Sequence, residues 1–320
     1  MARVRIVVPG DDPPQIADSP ALERLRPYAD VVVYRDRPAS TPDKVARARG
    51  AQVIINSRGI VTWREAELRQ LAELRLIATC SIGTDMIDLK AARELGVVVS
   101  NQPGRTAPVV AEHVVGLMFA LAKRAAFYTA EVKAGRWPRL INFTLQGKVL
   151  GILGTGHIGA EVARLGRALG MEVIAWTFNP SPERARELGV RFLERDEVLA
   201  QADVVSLHVR LTDATRHLIG RRELGLLKRG ALLLNGARGE VVDTSALVEA
   251  LQAGHLGGAG LDVFPQEPLP ADHPLLRCDQ VVLTPHVADQ TAEGIELLNE
   301  GAVDNVIAFL KGAPRHNVAV

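Results

Sequence analysis

Apolar residues along this chain fall in short continuous runs, and between the runs they recur at helical spacing. Before residue 105 the runs are VRIVVPG, ADVVVYR, AQVIINS, LRLIATC and GVVVSNQPG. After residue 145 they are KVLGILGTG, MEVIAW, ADVVSLHV, GALLLNGARG, GAGLDVF and QVVLTPH. A strand with one wet face alternates polar and apolar, whereas a strand covered on both faces is apolar throughout, as in parallel α/β sheets. The runs are too short for buried helices, and most close on Gly, Asn or Pro. Two such series predict an α/β protein with two doubly wound parallel-sheet domains. One long helical stretch, residues 107–135, separates the series, and a last helix, AEGIELLNEGAVDNVIAFLKG, follows the second.

Composition narrows the function classes. With 320 residues, 47% apolar and 23% charged, the chain is ordinary globular material of two-domain length. A net charge of +1 gives no electrostatic reason to expect nucleic acid or an anionic membrane as partner. Two cysteines, Cys80 and Cys278, are too few for a disulfide framework, and the start MARVRIVVPGDDPP lacks the apolar core of a signal peptide. No apolar run has membrane-spanning length. The expectation is a soluble cytoplasmic protein. The eight histidines and two cysteines show no ligand spacing, so no metal is expected.

Candidate chemistry begins at GILGTGHIGAEVARLG, residues 151–166. Gly154, Gly156 and Gly159 have G-x-G-x-x-G spacing, directly after the run KVLGIL and at the start of a helical pattern. That is the context of a dinucleotide-binding turn: one glycine for the turn, one for the pyrophosphate, one for helix–strand packing. The backbone amides of His157 and Ile158 would then face the phosphates. NAD-specific turns place an acid at the end of the next strand, on the ribose 2′-hydroxyl. Here that place falls on Thr177, and no Asp or Glu lies between Val173 and Pro182. Thr177, Asn179 and Ser181 fill the loop, with Arg184 and Arg186 just beyond.

Three later runs each end beside an unusual residue. LLLNGARGEVVD carries Arg238, LDVFPQEPLP carries Glu267, and VVLTPHVADQT carries His286. Ligands of open α/β sheets sit outside the carboxyl ends of the strands, so these three can converge. An arginine fork suits a carboxylate or carbonyl oxygen, and a histidine can move a proton near neutral pH. A carboxylate beside that histidine would orient the ring and raise its pKa.

These segments, together with CSIGTDMIDLKAARELGVVVSNQPG and VVAEHVVGLMFALAKR, resemble the D-isomer-specific 2-hydroxyacid dehydrogenase family over nearly the whole chain. The resemblance implies a Rossmann nucleotide domain at about 101–288 and a flavodoxin-like substrate domain at about 1–100 plus 289–320, with the active site in the cleft between. It implies hydride transfer between NAD(P)H and a small 2-keto or D-2-hydroxy acid such as glyoxylate or hydroxypyruvate. Arg238 is then the substrate-orienting arginine, His286 the acid/base and Glu267 its partner. The loop Ser81-Ile82-Gly83-Thr84 grips the substrate carboxylate through backbone amides. Asp262 matches a contact to the nicotinamide carboxamide, and Thr106 and Val110 match positions beside the nicotinamide ring. Thr177 stands where the family often has the ribose-binding Asp. Both NAD and NADP are therefore expected to serve, with a lean to NADP if Arg184 or Arg210 reaches the 2′-phosphate. A homodimer is expected through residues 107–140, whose Val114, Leu117, Met118, Leu121, Phe127, Tyr128 and Trp137 exceed what one helix face needs. The competing expectation is a nucleotide-sensing regulator, of the family's corepressor type, on the same scaffold.

Overall fold

Every apolar run singled out above is a strand in the computed structural model, which describes residues 3–319. The first five are β1 (Val4–Val8), β2 (Ala29–Val33), β3 (Val53–Asn56), β4 (Leu76–Thr79) and β5 (Val98–Ser100). They form one sheet in the order β2-β1-β3-β4-β5, parallel at every ladder. The second series gives β6 (Val149–Leu153), β7 (Glu172–Trp176), β9 (Val204–Leu207), β10 (Leu232–Asn235), β11 (Gly258–Leu261) and β12 (Val281–Leu283), and the two-residue β8 (Arg191–Phe192), which no run marked, joins them. These make a parallel seven-stranded sheet in the order β12-β11-β10-β9-β6-β7-β8. The order reverses at β6, so the two directions of winding part between β6 and β9.

Contacts divide the chain into two units, Met1–Thr106 with Gln290–Val320, and Ala107–Asp289. The family resemblance implied divisions at about 100/101 and 288/289. The closing helix Ala292–Leu310 buries Leu298, Ala302, Val303 and Val306 against Ile6, Val8 and Val53 of the first sheet. In the second unit, successive residues serve opposite faces, as strand geometry requires. Leu153, Val205, Leu207 and Leu233 enter one core, and Ile152, Val204, Leu232 and Leu234 enter the other. That is why the inner strands read as unbroken apolar runs.

The helical stretch 107–135 is two helices rather than one. Ala107–Ala122 and Ala125–Lys133 are separated by Arg124, whose φ of 51° lies in the left-handed region and breaks the helical ladder. The first helix lies close on β11, whose sequence GAGL offers almost no side chain there. A Cβ on Gly260 would stand 3.2 Å from the Leu117 Cβ and 3.1 Å from the Leu121 Cδ1. Val114, Leu117, Met118 and Leu121 are therefore core residues of their own unit, which corrects their assignment to an intersubunit face. The exposed large apolar side chains of this region are others: Phe119 at 39%, Val132 at 47%, Trp137 at 74%, Leu140 at 47% and Ile141 at 93%.

Candidate active site

The glycine turn follows β6 and caps the helix His157–Ala168. Two of its glycines are required by the fold itself. Gly154 has a φ of 96°, and a Cβ there would lie 2.6 Å from the His208 carbonyl oxygen; a Cβ on Gly159 would lie 2.0 Å from that of Gly154. Gly156 is different. Its φ is −65°, and an added Cβ would meet nothing within 4 Å. The protein does not need glycine at that position, so the bare space suits an external group. It opens at a helix N-terminus, where the first amides lack intrahelical partners and favour an anion. His157 is exposed there and Ile158 half-buried. The residues fit the pyrophosphate of a dinucleotide.

At the end of β7, Thr177 is half-buried, Asn179 is exposed, and Phe178 leans on Trp176 with ring centroids 4.8 Å apart. Arg184 folds back from the next helix: its guanidinium donates to the Thr155 carbonyl, and its Nε lies 3.4 Å from Thr155 Oγ1. A fixed positive charge thus stands beside the glycine turn. Arg210 is exposed at the far end of β9.

Arg238, Glu267 and His286 follow β10, β11 and β12, three neighbouring strands. His286 Nδ1 lies 2.8 Å from Glu267 Oε2, and Glu267 Oε1 accepts the Phe264 amide at 2.9 Å. Both carboxylate oxygens are therefore committed. Burial pushes the Glu267 acid up, but the hydrogen bonds from His286 and Phe264 and the Arg238 charge outweigh it, holding it below the usual carboxylate range. The hydrogen bond to Glu267 raises His286 above its ordinary value; burial and the Arg238 charge oppose this, and the charges of Glu267 and Asp262 reinforce it. Nδ1 donates to an ionised carboxylate in both protonation states, so Nε2 is the nitrogen left to exchange a proton. Arg238 donates to the Ala237 carbonyl at 2.7 Å, and Asn235 Nδ2 holds the Arg238 carbonyl at 2.9 Å.

Asp262, which the family resemblance matches to a contact with the nicotinamide carboxamide, has a buried side chain, and both carboxylate oxygens accept hydrogen bonds inside the unit. Oδ1 accepts from Thr284 Oγ1 at 2.6 Å and from the Val287 amide at 3.0 Å, and Oδ2 accepts from the Ala288 amide at 3.0 Å. Thr106 is buried, and its Oγ1 has no partner among the described residues. Val110 is buried in the core.

In the first unit, the loop after β4 has its carbonyls tied back. Ser81 O accepts from Thr79 Oγ1 and the Gln102 amide, Ile82 O from Asn101 Nδ2, and Gly83 O from Ser81 Oγ. In a planar trans peptide the N–H points opposite to the C=O. The amides of Ile82, Gly83 and Thr84 are thereby turned the other way, and none of them donates to an acceptor among the described residues. Such a row suits a carboxylate.

The sequence reading missed Asn101, His113 and Thr284. Asn101 holds the carboxylate loop, and its signal was a polar pair, Asn101-Gln102, buried at a strand end. His113 and Thr284 meet over Asp262, and neither carried a recognisable spacing. Among the described residues, no three His, Cys, Asp or Glu side chains gather to hold a metal ion. No helix among them is long and apolar enough to cross a membrane.

The family model described as D-isomer specific 2-hydroxyacid dehydrogenase, NAD binding domain, matches residues 115–288. A glyoxylate reductase of Aeropyrum pernix is 39% identical over 304 residues, covering 91% of this chain and 90% of that protein. A crystal structure of a glyoxylate reductase from Paecilomyes thermophila superposes with a TM-score of 0.90 at 29% identity, covering 99% of each chain. The D-lactate dehydrogenase of Aquifex aeolicus, solved with NAD and lactic acid, gives 0.84 at 31% identity, covering 97% of this chain and 96% of that one.

Proposed function

Because the chain belongs to the D-isomer-specific 2-hydroxyacid dehydrogenase family, an oxidoreductase family acting on 2-hydroxy acids, we propose that it reduces glyoxylate or hydroxypyruvate, with both NADH and NADPH and a lean to NADPH. The observation that carries the catalytic assignment is the 2.8 Å pairing of His286 with Glu267, beside the Arg238 charge. A nicotinamide held in this site would supply the hydride to the keto carbon. His286 Nε2 delivers the proton to the keto oxygen in reduction and removes it in oxidation, so atoms and charge balance at the substrate. Arg238 polarises that oxygen and orients the substrate. The amides of the Ser81, Ile82 and Gly83 loop bind its carboxylate. Gly154, Gly156 and Gly159 with His157 and Ile158 cradle the pyrophosphate, Thr177 and Asn179 border the adenosine ribose, and Thr106 and Val110 flank the nicotinamide.

Two observations support the cofactor reading. The loop after β7 has no carboxylate to repel a 2′-phosphate, and Arg184 holds a positive charge against Thr155. A charge-assisted hydrogen bond to the phosphate would contribute about 1.5–3 kcal/mol, roughly ten- to a hundredfold in kcat/KM. The exposed Trp137, Leu140 and Ile141 support a homodimer; a monomer mass by light scattering at micromolar protein would remove it. The regulatory reading finds no support in the named relatives. A panel of 2-keto acids assayed with both cofactors tests the whole proposal. Turnover of glyoxylate or hydroxypyruvate with NADPH favoured is the expected result, and no oxidation of either cofactor with any keto acid would sink it.

A further inference from the structure

We propose that His113 is a positioning residue for His286, acting through Thr284 and Asp262. The proposal rests on the reading of His286 as the acid/base. It starts from packing: because β11 is nearly bare of side chains, the helix Ala107–Ala122 approaches closely enough for His113 to reach the loop after β12. His113 Nε2 lies 2.9 Å from Thr284 Oγ1 and 3.3 Å from Asp262 Oδ1.

The donors and acceptors can be assigned. A buried ionised carboxylate must be fully hydrogen-bonded. Asp262 is held below the usual range: burial pushes it up, but the hydrogen bonds from His113, Thr284 and the Val287 amide prevail. Thr284 spends its one hydroxyl proton on Asp262 at 2.6 Å. Its oxygen can then only accept, so His113 Nε2 carries the hydrogen and donates. His113, donating from Nε2, completes the chain.

What the chain holds is the backbone around His286. Val287 and Ala288, the next two residues, both donate their amides to Asp262. On the other side, the His286 amide donates to the Thr284 carbonyl at 3.0 Å. His286 itself has a φ of 54°, a conformation that L side chains rarely adopt and that the surroundings must enforce. Asp262 and Thr284 grip the turn from both sides, and His113 is the donor that reaches them from another element. The groups acting on His286 are Glu267, Arg238 and Asp262, and none of the three is substituted in the variants below.

The test follows the imidazole titration of His286 by NMR in the protein without substrate, with steady-state kinetics alongside. Loosening the turn lets His286 drift from Glu267, so its pKa falls. In His113→Leu and Thr284→Val the titration is expected to move down by about half a pH unit or more. Reductive kcat should drop about tenfold while the KM values stay within about twofold. His113→Gln, whose side-chain amide can donate to Thr284, should recover most of both. Thr284→Val is nearly isosteric and decides alone if His113→Leu does not fold. An unmoved His286 titration in Thr284→Val, or a His113→Gln protein no better than His113→Leu, overturns the proposal. If the parent protein reduces no keto acid, the functional reading fails, and the titration still judges the positioning.

Discussion

In the proposed mechanism the loop Ser81–Thr84 and the His286 turn do opposite jobs with opposite materials. The loop contains no ionised group: Ser81, Thr79, Asn101 and Gln102 fasten its carbonyls, and the amides left over carry only partial charges. The turn is dense with charge, joining His286, Glu267, Arg238 and Asp262. A substrate carboxylate keeps its charge throughout the reaction, so fixed dipoles suffice, and preorganised amides need no reorganisation. A proton has to leave and return. That requires a group whose pKa is tuned by neighbours, and neighbours that are held in turn.

The largest break in this comparison should come at His286. In His286→Ala, reductive kcat is expected to fall about 10²- to 10⁴-fold, while NADPH binding by fluorescence titration stays near the parent value. Near-normal turnover would take His286 out of the mechanism. Next in size is Glu267→Gln. In the proposed mechanism reduction uses protonated His286, so the rate is expected to be flat at low pH and to fall as pH rises through the raised His286 pKa, above its ordinary value of about 6.5. Removing Glu267 removes the chief cause of the raising, so the falling limb should shift to lower pH by about one unit. The rising limb for oxidation should shift with it. Limbs that stay put would show the pair uncoupled. The smallest effect belongs to the loop: Ser81→Ala frees the Gly83 carbonyl, and the loss of one hydrogen bond should raise the keto-acid KM about fivefold. Its pH profile should not move. A shifted profile would mean that the loop is not confined to binding.

Legibility in the sequence followed the same divide. Strands buried on both faces announce themselves, because every position of Val204–Leu207 and Leu232–Asn235 is buried and all but Ser206 and Asn235 are apolar. The two-residue strand Arg191–Phe192 did not, since an edge strand that short has no pattern to read. The break at Arg124 was equally silent: LAKRAAF contains no Gly or Pro, and the left-handed residue is an arginine. Arg238, Glu267 and His286 could be found because each sits just past a strand. His113 could not, because it stands among Val and Ala in an apolar helix and reads as a core histidine. Its partners, Asp262 and Thr284, lie far along the chain, and only the bare GAGL strand brings the helix to them.

The strand order of the second sheet has one more consequence. The β7 end, with Thr177, is separated from β10 by β6 and β9, and from β12 by two strands more. At about 4.8 Å per strand, that is roughly 14 Å to the Arg238 strand and roughly 24 Å to the His286 strand. Both spans exceed the screening length of about 8 Å at physiological salt. A charge gained or lost beside the ribose is therefore scarcely felt at the proton donor. Choice of reductant and choice of reaction can drift independently, and a lineage can exchange one nicotinamide for the other without retuning its acid.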